Sequence, residues 1–144
     1  MEKISEKDLG YAGGIIDGEG SICINKHKSN ECKRGYSFVL NVSVSNTNEW
    51  LLEWLKLNFG GYKYPRKKWK THHSFSWCWM IESQKALEFL RIIKPYLKIK
   101  SFQAEIAISF QEAKRRGRYK EEKLWAVEEA QNILLKSLHI GLPL

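Results

Sequence analysis

Residues 5–20 set the hardest condition on what this chain can fold into. Ser5 can N-cap a helix, Asp8 three residues on completes a capping box, and Leu9, Ala12, Ile15 and Ile16 return at helical spacing. Yet Gly10, Gly13 and Gly14 stand inside that helix, where together they cost about 2 to 3 kcal/mol relative to alanine. A chain that keeps all three is expected to use the missing side chains for close approach of another backbone, and their spacing sets them on one stripe. The stretch ends on Asp17-Gly18-Glu19-Gly20, with acids where a helix exposes its carbonyls and its partial negative charge. Carbonyl oxygens beside a carboxylate suit a hard divalent cation; a glycine C-cap followed by a solvated turn acid is the other reading at this point.

Two alternating segments follow. In residues 21–28, Ile22 and Ile24 oppose Cys23, Asn25 and His27; in residues 36–46, Phe38, Leu40, Val42 and Val44 oppose Ser37, Val39, Asn41, Ser43 and Ser45. They read as a hairpin with one dry and one polar face. Asn46-Thr47-Asn48 then offers caps for a helix carrying Trp50, Leu51, Trp54, Leu55 and Leu57, which Gly60-Gly61 should stop. A second strand pair spans residues 62–69, where Pro65 marks an edge or a bulge, and 74–82, where Phe75, Trp77, Trp79 and Ile81 alternate with Ser76, Cys78 and Met80. Helices are expected over residues 83–97, disturbed by Pro95, over 102–115, and over 120–138 beyond a break at Gly117. The pattern predicts an α+β fold: a four-stranded antiparallel sheet with helices on one face and the polar face left to a partner.

Charge narrows the partner. Twenty-four Lys and Arg against sixteen Asp and Glu give +8, and the basic residues gather at 26–34, 63–70, 94–100 and 114–123, which points to a polyanion. At 144 residues and 43% hydrophobic content the chain reads as one folded domain, with a core over residues 5–112 and a helical extension over 113–144. No apolar run is long enough to span a bilayer and no secretion signal opens the sequence, so an intracellular protein is expected. Three cysteines without a CxxC fit a reducing compartment, and their spacing to the histidines matches no common zinc pattern.

The order helix-strand-strand-helix-strand-strand-helix, headed by Ala12-Gly13-Gly14-Ile15-Ile16-Asp17-Gly18-Glu19-Gly20, resembles the LAGLIDADG homing endonucleases. Val42-Ser43-Val44-Ser45-Asn46, the Leu-rich helix ending at Gly60-Gly61, and Pro95-Tyr96-Leu97-Lys98-Ile99-Lys100 extend the resemblance over residues 8–112. The motif departs from the family name in beginning Ala-Gly-Gly and in carrying Glu19 in place of aspartate.

The resemblance implies an αββαββα fold with a saddle-shaped sheet. It also implies that the motif helix packs on a second copy of itself. Only one motif is present and no internal repeat is visible, so the second copy is expected from another subunit of a homodimer, with Gly10, Gly13, Gly14 and Asp17 at the interface, Asp17 in a structural role that ties down the helix end or the partner helix. The implied activity is intron-encoded, site-specific cleavage of double-stranded DNA at a long near-palindrome. Glu19 and the Gly18 carbonyl would hold Mg2+, with Mn2+ as a substitute and Ca2+ binding without supporting cleavage; Asn46 would orient water and Lys100 would stabilise charge at the scissile phosphate. No small-molecule cofactor and no membrane partner is expected.

Base reading would fall to the outward side chains Asn25, His27, Ser37, Val39, Asn41 and Ser43 on the first hairpin and Tyr62, Tyr64, Arg66 and Lys68 on the second. Lys26, Lys28, Lys70 and Arg116 would meet phosphates. Hydrophobic alternation puts Trp77 and Trp79 inside, whereas alignment to the family landmark at Lys100 turns them toward DNA, and both stand among the DNA-binding candidates. The alternatives are an RNA-splicing maturase of the same family and a non-catalytic dimeric DNA-binding regulator.

Overall fold

The computed structural model describes residues 3–66, 75–115 and 122–139. The first helix, α1 (Glu6–Glu19), starts as its sequence requires, with the Asp8 N–H donating to Ser5 Oγ at 3.2 Å. Strands β1 (Gly20–Lys28) and β2 (Tyr36–Asn46) form an antiparallel hairpin in a register from Gly20 opposite Val44 to Lys28 opposite Tyr36. Next comes α2 (Glu49–Phe59), whose first turn is capped by Asn48 Oδ1 accepting from the Trp50 N–H at 3.0 Å. Gly60 and Gly61 stop it, both at φ +84°, and a Cβ on Gly61 would lie 2.5 Å from the Met80 carbonyl oxygen. Glycine is therefore required twice over at position 61.

Strands β3 (Tyr62–Arg66) and β4 (Ser76–Glu82) complete an antiparallel sheet of order β1-β2-β4-β3, with β4 pairing on β2 from Asn41 opposite Glu82 to Asn46 opposite Trp77. Pro65 lies on β3, an edge strand, as its missing N–H demands. Helix α3 (Ser83–Ile93) is shorter than its periodicity suggests. Pro95 cannot donate into the helix, so the chain tightens into a 3-10 turn, Lys94–Tyr96, before α4 (Ser101–Arg115) and α5 (Glu122–His139).

All the helices lie on one face of the sheet. Ile22, Ile24, Phe38, Leu40, Val42, Val44, Trp79 and Ile81 are buried beneath Ala12, Ile16, Leu52, Leu55, Leu90, Ala107 and Phe110. Helix α5 closes the outer edge of β1, where Asn132 Nδ2 donates to the Ile24 carbonyl at 2.5 Å. Arg34, in the turn between β1 and β2, is sealed beneath it. Its guanidinium pairs with Glu128 at 2.5 Å, the two side chains only 7% and 8% exposed, and its Nε donates to the Tyr36 carbonyl. The Tyr36 hydroxyl donates to Glu129, and the Lys114 ammonium to the Phe38 carbonyl.

Candidate active site and nucleic-acid interface

The two acids at the end of α1 do different things. Asp17 turns inward, its carboxylate accepting from the backbone N–H groups of Lys98 at 2.8 Å, Lys100 at 3.0 Å and Ile99 at 3.2 Å. Burial pushes the Asp17 pKa up, but those N–H groups and the Lys100 charge outweigh it and hold the carboxyl below its ordinary value. The same segment returns a cation. Lys100 Nζ donates to the Ile16 carbonyl at 2.9 Å and to the Gly20 carbonyl, supplying the positive charge that the last turn of α1 lacks. Burial pulls the Lys100 pKa down, against the opposing pull of Asp17 and Cys23. All of these partners lie within its own chain, so Asp17 ties down the end of its own helix.

Glu19 stays exposed where β1 begins and β2 stops. Asn46 Nδ2 donates to Glu19 Oε2 at 2.8 Å, while Asn46 Oδ1 accepts from the Asn48 N–H at 2.8 Å. Because that N–H occupies the amide oxygen, the amino group of Asn46 must face the carboxylate. The role of Asn48 in this chain of contacts was hidden in the sequence inside a run of three capping residues.

The donors here are hard oxygens, and nothing lies within 4 Å of the space a Cβ on Gly18 would fill. Among the described residues no cluster of three His, Cys, Asp or Glu could hold a metal ion. One chain therefore offers an exposed carboxylate rather than a closed cage, which fits a largely hydrated Mg2+ held by one or two carboxylates.

Opposite the helices, the sheet turns Asn25, His27, Ser37, Val39, Asn41 and Ser43 outward on β1 and β2, and Tyr62, Tyr64 and Arg66 outward on β3. Asn41 is only 6% exposed, wedged between Cys23 and Glu82 on the neighbouring strands, so little of its amide is left for a base. Tyr62 and Tyr64 stack with centroids 5.8 Å apart. Lys26 stands exposed on the helix side of the strand, its ammonium 3.9 Å from the Tyr36 ring centroid, and Lys28 shares that side.

The tryptophans are corrected. Trp79 is 0% exposed, packs edge-on to Phe89, and donates its indole N–H to the Gly60 carbonyl at 2.8 Å. Trp77 lies on the same side, half-buried, with the Lys63 ammonium 5.1 Å from its ring centroid. Hydrophobic alternation read both rightly, and alignment to the Lys100 landmark did not. Lys68, Lys70 and Arg116 lie outside the described residues.

The glycine stripe divides. A Cβ on Gly13 would lie 2.7 Å from Tyr96 Cβ and 3.0 Å from its carbonyl oxygen, and one on Gly10 would lie 3.8 Å from the Tyr96 ring. Gly13 thus serves the approach of the 3-10 turn of its own chain, whereas a side chain at Gly10 would meet that turn at ordinary van der Waals distance. Gly14 and Gly18, four residues apart, are exposed with nothing within 4 Å of either Cβ position, and Tyr11 beside them is 49% exposed. The small-residue stripe left free by its own chain is therefore Gly14 and Gly18.

No curated protein sequence matches the chain. Among solved structures, an archaeal intron-encoded homing endonuclease, I-Vdi141I, complexed with DNA superposes with TM-score 0.78 at 17% identity, over 92% of this chain and 84% of that one. The homing endonuclease I-CvuI, in complex with the I-CreI target in the presence of Mg and with the DNA not cleaved, gives TM-score 0.77 at 15% identity, over 92% and 82%. I-SmaMI, a LAGLIDADG homing endonuclease bound to cleaved DNA, gives 0.70 at 23% identity, over 94% of this chain but 43% of that one. At such identities these likenesses establish the fold. The family profile described as LAGLIDADG endonuclease matches residues 13–116, most of the sequence, and with it the chain belongs to the LAGLIDADG endonuclease family.

Proposed function

We propose that the chain is a site-specific double-strand DNA endonuclease, acting as a homodimer with a divalent metal at a long, near-palindromic target. The observation that carries this reading is Glu19: an exposed carboxylate at the end of α1, oriented by Asn46, followed by Gly20 whose carbonyl accepts from the Lys100 ammonium, and set at the margin of an open polar sheet face. The DNA complexes of the structural neighbours support the partner. Dimerisation follows from stoichiometry: a duplex has two strands to cut, each chain brings one such carboxylate, and the free Gly14 and Gly18 stripe beside Glu19 would let two copies of α1 meet closely.

Glu19 and the Gly18 carbonyl would hold the metal, which when bound neutralises developing phosphate charge and lowers the pKa of water. Lys100 spends two of its three N–H donors on the Ile16 and Gly20 carbonyls, leaving the third for a phosphate oxygen. Asn46 keeps its second amino hydrogen to hold a water beside Glu19.

Targets selected from a randomised duplex library test the reading. Wild-type protein with Mg2+ cuts both strands of the selected site, and Glu19→Gln binds it without cutting. Cleavage that persists in Glu19→Gln removes the metal assignment, and a selected site that no divalent ion allows to be cut removes the nuclease.

A further inference from the structure

Among the described strand residues, Glu82 is the only carboxylate on the open face of the sheet. A negative side chain there runs against the sense of a +8 protein that binds a polyanion. Its surroundings show that it is held in place. Glu82 closes β4 directly opposite Asn41, and the Tyr62 hydroxyl reaches across from β3 to donate to Glu82 Oε1 while lying 3.0 Å from Met80 Sδ. That hydrogen bond, together with burial, pushes the Tyr62 pKa up to about 12, so the hydroxyl remains a donor at any working pH. Immediately beyond, Ser83 turns the chain into α3 with φ +52°, a left-handed conformation unusual for a residue with a side chain. With Oε1 taken, Oε2 is left as a fixed acceptor on the surface that meets the groove.

An acceptor that cannot donate discriminates among bases. In the major groove it accepts from the amino group of cytosine, is repelled by the O6 and N7 acceptors of guanine and the O4 of thymine, and at adenine meets the N6 amino group only beside the repelling N7 acceptor. We infer that Glu82, positioned by Tyr62, is a specificity-determining residue that selects cytosine at one base pair of each half-site. This rests on the nuclease reading above.

Target profiles from a randomised duplex library, taken for wild type, Glu82→Gln and Tyr62→Phe, test it. Wild type should enrich cytosine at one symmetric pair of positions by on the order of tenfold. Glu82→Gln, which keeps the shape and adds a donor, should lose that preference or move it toward adenine and leave every other position unchanged. Tyr62→Phe should weaken the same preference without changing its identity. A Glu82→Gln profile identical to wild type at every position overturns the inference and leaves the nuclease reading intact. A wild-type protein that enriches no sequence overturns both.

Discussion

Alanine at Gly14 should stabilise the isolated chain, and alanine at Gly13 should not. Each substitution gains about 0.8 to 1.0 kcal/mol of helix propensity. At Gly14 nothing stands within 4 Å of the new methyl group, so a protein diluted to monomer should keep the whole gain, a rise of about 3 °C in melting temperature. At Gly13 the methyl group would sit 2.7 Å from Tyr96 Cβ and 3.0 Å from its carbonyl oxygen. Backbone must move there, at about 1 to 3 kcal/mol, which cancels the gain or reverses it. Association should follow the other order, because Gly14→Ala puts a methyl group into each copy of the proposed seam and should weaken dimerisation at least about tenfold, about 1.4 kcal/mol. Sedimentation velocity across a dilution series gives the dimer constant, and thermal melts at high and low concentration separate folding from association. A Gly14→Ala protein that dimerises like wild type, or a Gly13→Ala protein that melts higher, would refute the division of the stripe.

Two further perturbations address the framework. Glu128→Ala leaves the Arg34 charge buried without its acid and should cost about 3 to 5 kcal/mol in urea unfolding; a cost below about 1 kcal/mol would mean that the pair is open to water. The Asp17 pKa is lowered on folding, so its contribution to stability is complete above the ordinary carboxyl value of 3.8, shrinks as pH falls below it, and is gone once pH has passed the folded pKa. Asp17→Asn should accordingly flatten the acid limb of the stability profile below pH 3.8 relative to wild type, and an unchanged limb would count against the backbone contacts.

Local chemistry made most of the fold legible: period-2 alternation gave the strand faces, Gly60-Gly61 the end of α2, and Ser5 the start of α1. Local chemistry also says that a glycine needs a close neighbour without saying which: the motif points Gly13 at a partner helix, whereas its neighbour is Tyr96, far away in the same chain. Asp17 is read as a structural acid, but which groups it holds is not legible, since its partners are main-chain N–H groups that any sequence would supply. Arg34 belongs to a basic run that looks like a phosphate-binding cluster. Only the packing of α5 shows it to be an interior ion pair with Glu128. Glu19, Asn46 and Lys100 are brought together by the family resemblance rather than by local chemistry; the structure sets them at element ends, with Asn46 bonded to Glu19.

The contacts between α1 and the segment leading into α4 have a direction. Asp17 addresses main-chain N–H groups and Lys100 addresses main-chain carbonyls, so neither charge depends chiefly on the other. Exchanging them, with lysine at 17 and aspartate at 100, would conserve net charge and keep opposite signs facing each other. It would nevertheless set a cation against three N–H dipoles and an anion against the negative end of a helix. The joint behaves as a polarised plug and socket: side chains can be replaced only in keeping with the sign of the backbone they meet, and the backbone has no means of reversing it.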